Sequence, residues 1–209
     1  MERQSTKDRI ITEALKLFAE KGYEAVSVAQ IAEAVGIKAP SLYKHYKSKQ
    51  NIFTAILTEM SSRYEKQVGS MRMNGITPGA DMELFSNMGE EQLIDMGKQL
   101  FSFFLHDEYT SLFRRVLTVE QYRDKKLGAL YAKQYVDEPL SYQGELFALL
   151  MQAGAFIPEN PNVMALHFFA PMFLLLILCE CHPEREPEAM QMIEQHIRQF
   201  SRLYEKKVS

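Results

Sequence analysis

The chain has no tryptophan, and only two of its 209 residues are cysteine. Two thiols cannot make a disulfide framework. They stand at Cys179 and Cys181, too close together to staple anything useful, which points to a reducing compartment, the cytoplasm. A chain this long can bury on the order of 70% of its unfolded surface, so its core needs neither disulfide nor metal. The opening Met1-Glu-Arg-Gln-Ser-Thr-Lys-Asp-Arg9 lacks the apolar stretch of a secretory leader. Also missing are a phosphate-cradling glycine loop, a nucleophile elbow and an HExxH pattern. No set of Glu, His or Ser stands at a spacing that implies acid–base work. The expectation is therefore no enzyme, no cofactor and no metal. The only metal-like group is Cys179-Glu-Cys181-His182. On a helix, positions i and i+2 diverge by about 200°, so both sulfurs reach one ion only if the helix has already ended, as Pro183 would allow.

Sustained period-two alternation is absent as well, which excludes half-buried strands and leaves an all-α fold. One apolar run has the length of a membrane span. From Asn160 to Cys179 there is no formally charged residue. It opens with Asn160-Pro161-Asn162, carries His167 and Pro171 near its middle, and has no basic cluster beside it. It is read as a buried helix, with no membrane partner expected.

Composition is otherwise globular, with 24% charged and 46% hydrophobic residues. The net charge of −3 conceals an asymmetry: residues 1–50 hold nine basic and six acidic side chains. After Glu33 that segment carries Lys38, Lys44, Lys47 and Lys49 and no acid, the footprint of a phosphate-binding surface.

Ile10, Ile11, Ala14, Leu15, Leu17 and Phe18 define one face of a first helix, capped by Ser5 or Thr6 and ended at Gly22 in a left-handed conformation. Ser27-Val-Ala-Gln30 is a capping box, and Gly36 stops the helix that it opens. A third short helix begins near Lys38 or Ala39, with Pro40 in its first turn. Leu42 and Tyr46 should face the core. Pro40, Ser41, Lys44 and Lys47 then fall on the opposite face, with Tyr43 and His45 on the flanks. Two short helices joined by a glycine turn make a helix-turn-helix, whose second helix presents its first residues to the major groove of double-stranded DNA. Lysines would neutralise phosphate, and Tyr and His would donate to its oxygens.

The run Ala14-Leu-Lys-Leu-Phe18, Gly22-Tyr23, Ser27-Val28, Ile31-Ala32, Val35-Gly36, Leu42-Tyr43, His45-Tyr46 and Ser48-Lys49 resembles the amino-terminal signature of the TetR/AcrR family of bacterial transcriptional regulators. The resemblance implies a helical homodimer whose three-helix head binds a palindromic operator. A larger carboxy-terminal domain would hold a small-molecule effector and the dimer interface. It implies that Ser41 and Lys44 face base edges, and that Tyr43, His45, Lys49 and the helix opened by Ser27 contact phosphate. Val26 departs from the pattern where a threonine is common. Lys38 departs where a serine cap is common, losing a capping oxygen and adding a cation.

The expected domains are 1–48, the DNA head, and 49–209, the helical ligand-binding and dimerisation body. Helices are expected from Ser48 to about Ser70, over Glu90–Leu105, over Tyr109–Val119, over Asp124–Gln152 with a kink or break at Pro139, over Asn162–Cys181, and to about Lys206. Asn74–Gly79 reads as a loop. A body rich in Met, Phe and Tyr suits an adaptable apolar pocket. The candidates are Tyr64, Phe101, Phe104, Tyr109, Phe113, Tyr131, Phe147, Met151, His167 and Met172. In the family the last two helices pair into a dimer bundle, which marks Phe168, Leu175, Leu178, Met192, His196, Phe200 and Leu203.

Overall fold

Capping chemistry sets the ends of the first helices in the computed structural model, which describes residues 5–206. Ser5 opens α1 (Thr6–Lys21): its hydroxyl accepts the Asp8 amide at 3.2 Å, and the Asp8 carboxylate takes the Ser5 amide at 3.3 Å. Ser27 opens α2 (Val28–Val35) by the same reciprocal exchange with Gln30, at 3.3 and 2.8 Å. Gly36 closes α2 in the left-handed conformation, φ +76°, where a side chain would be strained. Lys38 precedes α3 (Ala39–Tyr43) and makes no side-chain cap. Ser48 then accepts the Asn51 amide at 3.1 Å, at the start of α4 (Lys49–Ser70).

The remaining elements are α5 (Pro78–Ser86), α6 (Glu90–His106), α7 (Glu108–Glu120), α8 (Lys125–Ala132), α9 (Glu138–Gln152), α10 (Pro161–Cys181) and α11 (Glu186–Tyr204). No strand occurs among the described residues, only an isolated bridge between Phe156 and Glu205. Two boundaries differ from expectation. The Asn74–Gly79 loop gives way to α5 at Pro78; buried Asp81 accepts the amides of Asn74 and Gly75 and the Tyr142 hydroxyl, at 2.6, 2.8 and 2.6 Å, and so holds that loop down. Pro139 does not break the 124–152 pattern. Residues 125–152 stay helical through it, and the irregularity is a π-helical turn just before it, Lys133–Asp137, where the proline supplies no amide to the preceding carbonyls.

Residues 5–64 and 108–131 form one compact unit, and residues 65–107 and 132–206 a second. This partition does not follow the sequential division at 48/49. The reason is aromatic packing: Phe18, Tyr23, Phe53 and Phe113 make a chain of ring contacts at 5.0, 5.1 and 6.2 Å. Phe53 comes from α4 and Phe113 from α7, so both helices complete the core of the head.

The second unit has two apolar centres. Ile94 and Phe101 of α6 pack with Leu175 and Leu176 of α10 and with Ile193 and Ile197 of α11. Leu146, Phe147 and Leu150 of α9 pack with Met164, Ala165 and Phe200. Arg198 ties α11 to α6 through Glu90 and Glu91, each at 2.7 Å. The run long and apolar enough to cross a membrane is α10. It is not covered all round within its unit: Val163, Leu166, Leu174 and Ile177 stay exposed.

Candidate nucleic-acid interface

The recognition segment is shorter than the sequence suggests. Leu42, fully buried, anchors α3, and the helix ends at Tyr43. The next residues tighten into a turn: the Lys44 amide donates to the Ser41 carbonyl at 3.3 Å and the His45 amide to that of Leu42 at 2.8 Å. The expected helical face through Lys47 therefore stops early, because Ser48 caps a new helix at once. Tyr43, Lys44 and His45 are exposed, Ser41 is half-buried, and Ser27 and Lys38 are exposed at the starts of α2 and α3. Tyr46 is half-buried, and that burial, with the Asp8 charge, raises its phenol pKa. Beside this segment runs a groove of about 530 Å³, lined by His45, Tyr46, Lys47, Asn51, Thr54, Ala55 and Thr58.

Lys49 is committed within the head. Its ammonium donates to the carbonyls of Tyr23 and Glu24 at 2.8 and 3.3 Å and lies 4.3 Å from the centre of the Tyr23 ring. The Glu24 carboxylate, 3.8 Å away, completes its surroundings, so a phosphate would have to compete with that acid for the ammonium. Three supports of the head escaped the sequence reading. Arg9 donates to the Val35 carbonyl at 2.5 Å, closing the end of α2. The Tyr23 hydroxyl donates to Gln50 at 3.2 Å. The buried Glu120 of α7 accepts the Tyr23 amide at 3.0 Å. That pair is separated by 97 positions, and no local signal connects them.

The ten pocket candidates do not gather in one place within either unit. Tyr64, Tyr109, Phe113 and Tyr131 belong to the first unit, and Phe101, Phe104, Phe147, Met151, His167 and Met172 to the second. Phe113 is core, and the Arg63 guanidinium lies 4.7 Å from the centre of the Tyr109 ring. Phe147 is surrounded by the rings of Phe156, Phe168 and Phe200. His167 Nδ1 lies 2.9 Å from the Tyr204 hydroxyl. An open depression of about 560 Å³ in the second unit is lined by methionines and polar side chains together, among them Met71, Arg72, Glu83, Asn87, Met88 and Gln92; none of the ten takes part.

Three of the seven dimer candidates are used up inside their own unit. Phe200 packs on Phe168 with ring centres 4.9 Å apart, and Leu175 is buried. Leu178 and His196 are half-buried, and Met192 and Leu203 are exposed. An all-round apolar helix does not reveal in sequence which side its own chain covers. Finally, α10 runs through Cys181, so Cys179 and Cys181 point apart; burial raises the Cys179 thiol pKa. No group of three metal-ligating side chains is found among the described residues.

Residues 10–56 match the family model described as bacterial regulatory proteins, tetR family. Over 200 residues the chain is 24% identical to the probable HTH-type transcriptional regulator YttP of Bacillus subtilis (strain 168), covering 96% of this chain and 88% of that protein. It is 49% identical over 47 residues to the biofilm operon icaADBC negative transcriptional regulator IcaR of Staphylococcus aureus (strain Newman), a match spanning only 22% of this chain and 25% of IcaR. In fold, the chain is similar to the SmeT–triclosan complex of the Stenotrophomonas maltophilia repressor, with a TM-score of 0.65 at 15% identity, covering 98% of this chain and 93% of that one.

Proposed function

We propose that this chain is a transcriptional regulator of the TetR family rather than an enzyme, a cytoplasmic homodimeric repressor released from a palindromic operator by a small apolar or amphipathic ligand. The observation that carries the DNA reading is the recognition segment: buried Leu42 fixes a short helix whose neighbours Tyr43, Lys44 and His45 stand free in solvent. Ser41 and Lys44 read base edges, while Tyr43, His45, Lys38, Lys49 and the α2 terminus at Ser27 hold phosphates. Two heads in a dimer address half-sites about 34–36 Å apart.

Support for a dimer comes from the uncovered side chains Val163, Leu166, Leu174 and Ile177 of α10 with Met192 and Leu203 of α11. Their places along α10 follow helical spacing, so they share one stripe. Release by ligand requires a molecule that binds better when the heads are misplaced, worth typically about 1–3 kcal/mol of coupling. Triclosan bound to SmeT supports an apolar effector. The test is an operator selected from random duplex, titrated with Tyr43→Ala and Lys44→Ala. Each variant should bind at least tenfold more weakly. Wild-type affinity in both removes the recognition segment from the interface.

A further inference from the structure

The acids of the α7–α8 turn are consumed internally while its cations are displayed. Glu120 is buried on the Tyr23 amide. The Asp124 carboxylate caps α8, accepting the amides of Lys126 and Leu127 at 2.6 and 3.0 Å. Arg115, Arg123, Lys125 and Lys126 are all exposed, and among the described residues none of the four is ion-paired. Tyr122, between them, is 89% exposed. The chemistry of this surface is point charges with one phenolic donor, which suits phosphate oxygens.

This turn belongs to the same compact unit as the three-helix head. It also sits against the part of the head that leads into α2. Arg123 Nη1 would lie 3.6 Å from a Cβ placed on Gly22. The backbone then runs from Tyr23 to the Ser27 cap in four residues, at most about 14 Å of extended chain. Lys49, on the other side of the same turn, donates to the Tyr23 carbonyl.

Resting on the DNA-binding reading above, we propose that the α7–α8 turn is a second phosphate-contacting element. Through Arg123, Lys125 and Lys126 it extends the interface from the operator half-site onto the flanking duplex. Such contacts carry no sequence information; each adds about 0.9 to the slope of log K against log salt.

The test is Arg123→Ala/Lys125→Ala/Lys126→Ala, titrated between 50 and 200 mM salt against the selected operator with long and with trimmed flanks. All three side chains are exposed, so a thermal melt should match wild type. On the long duplex the slope should fall by about 2 to 3, with the ranking of operator variants kept. Trimming the flanks should weaken wild type to the level of the variant and leave the variant unmoved. A variant that removes the same number of charges elsewhere, Lys66→Ala/Lys133→Ala/Lys206→Ala, should keep the wild-type slope. An unchanged slope in the turn variant, or an equal loss on long and trimmed duplexes, overturns the proposal while the DNA-binding reading stands. A wild-type protein that binds no duplex overturns both.

Discussion

A carboxylate at the carboxy-terminal end of a helix sits in an unfavourable field, because the last carbonyls carry partial negative charge. Glu120 occupies that position against α1 and is buried. It is held there by the Tyr23 amide, and it leaves no room for a side chain at Gly22: a Cβ there would come within 2.8 Å of its Oε1. Gly22 also has φ +87°. Position 22 is therefore glycine for two reasons, backbone conformation and space. Glu120→Ala strands the Tyr23 amide and should cost about 1–3 kcal/mol by denaturant melt. Glu120→Gln keeps an acceptor and should cost clearly less. Equal losses would mean that the charge, rather than the hydrogen bond, holds the turn.

Among the elements, α2 and α3 make a natural comparison. Ser27 supplies a complete capping box to α2, whereas Lys38 supplies no cap to α3. Ser27→Ala should destabilise the head by about 0.5–2 kcal/mol. Lys38→Ser should raise stability by up to about the same amount and weaken DNA binding through the lost cation. A Lys38→Ser melt at or below wild type would show that α3 is held by Leu42 alone. The α10–α11 seam carries a proton-linked contact. His196 Nε2 lies 3.0 Å from the Phe168 carbonyl, to which it must donate. Burial, opposed by that hydrogen bond and aided by the nearby His167, lowers the His196 pKa below its usual 6.5. Above 6.5 both folded and unfolded chains hold it neutral, so its contribution is constant there. As pH falls below 6.5 the unfolded chain takes the proton first, and stability declines until the folded pKa is passed. Melting temperature should drop between pH 7 and 5, and His196→Gln should flatten that drop.

At the scale of the whole molecule, the proposed dimer rests on the outward stripe of α10. Burying one leucine contributes about 1.5–3 kcal/mol, and a twofold dimer buries each position twice. Leu174→Glu should therefore weaken self-association at least 100-fold, seen as a monomer by sedimentation at micromolar concentration. A dimer unchanged by Leu174→Glu would place the interface elsewhere. The amino acid order alone determined the all-α class, the helix starts at Ser5, Ser27 and Ser48, and the displayed Tyr43-Lys44-His45, because caps, glycine stops and helical periodicity act over a few neighbouring residues. Tertiary packing alone decided that α7 joins the head through Phe113 and Glu120. It also decided that α5 follows a loop pinned by Asp81, and that Phe168 and Phe200 turn inward while Leu166 and Leu174 turn out. Those outcomes depend on which distant surfaces meet, and apolar side chains on every side of a helix do not encode a preference among them.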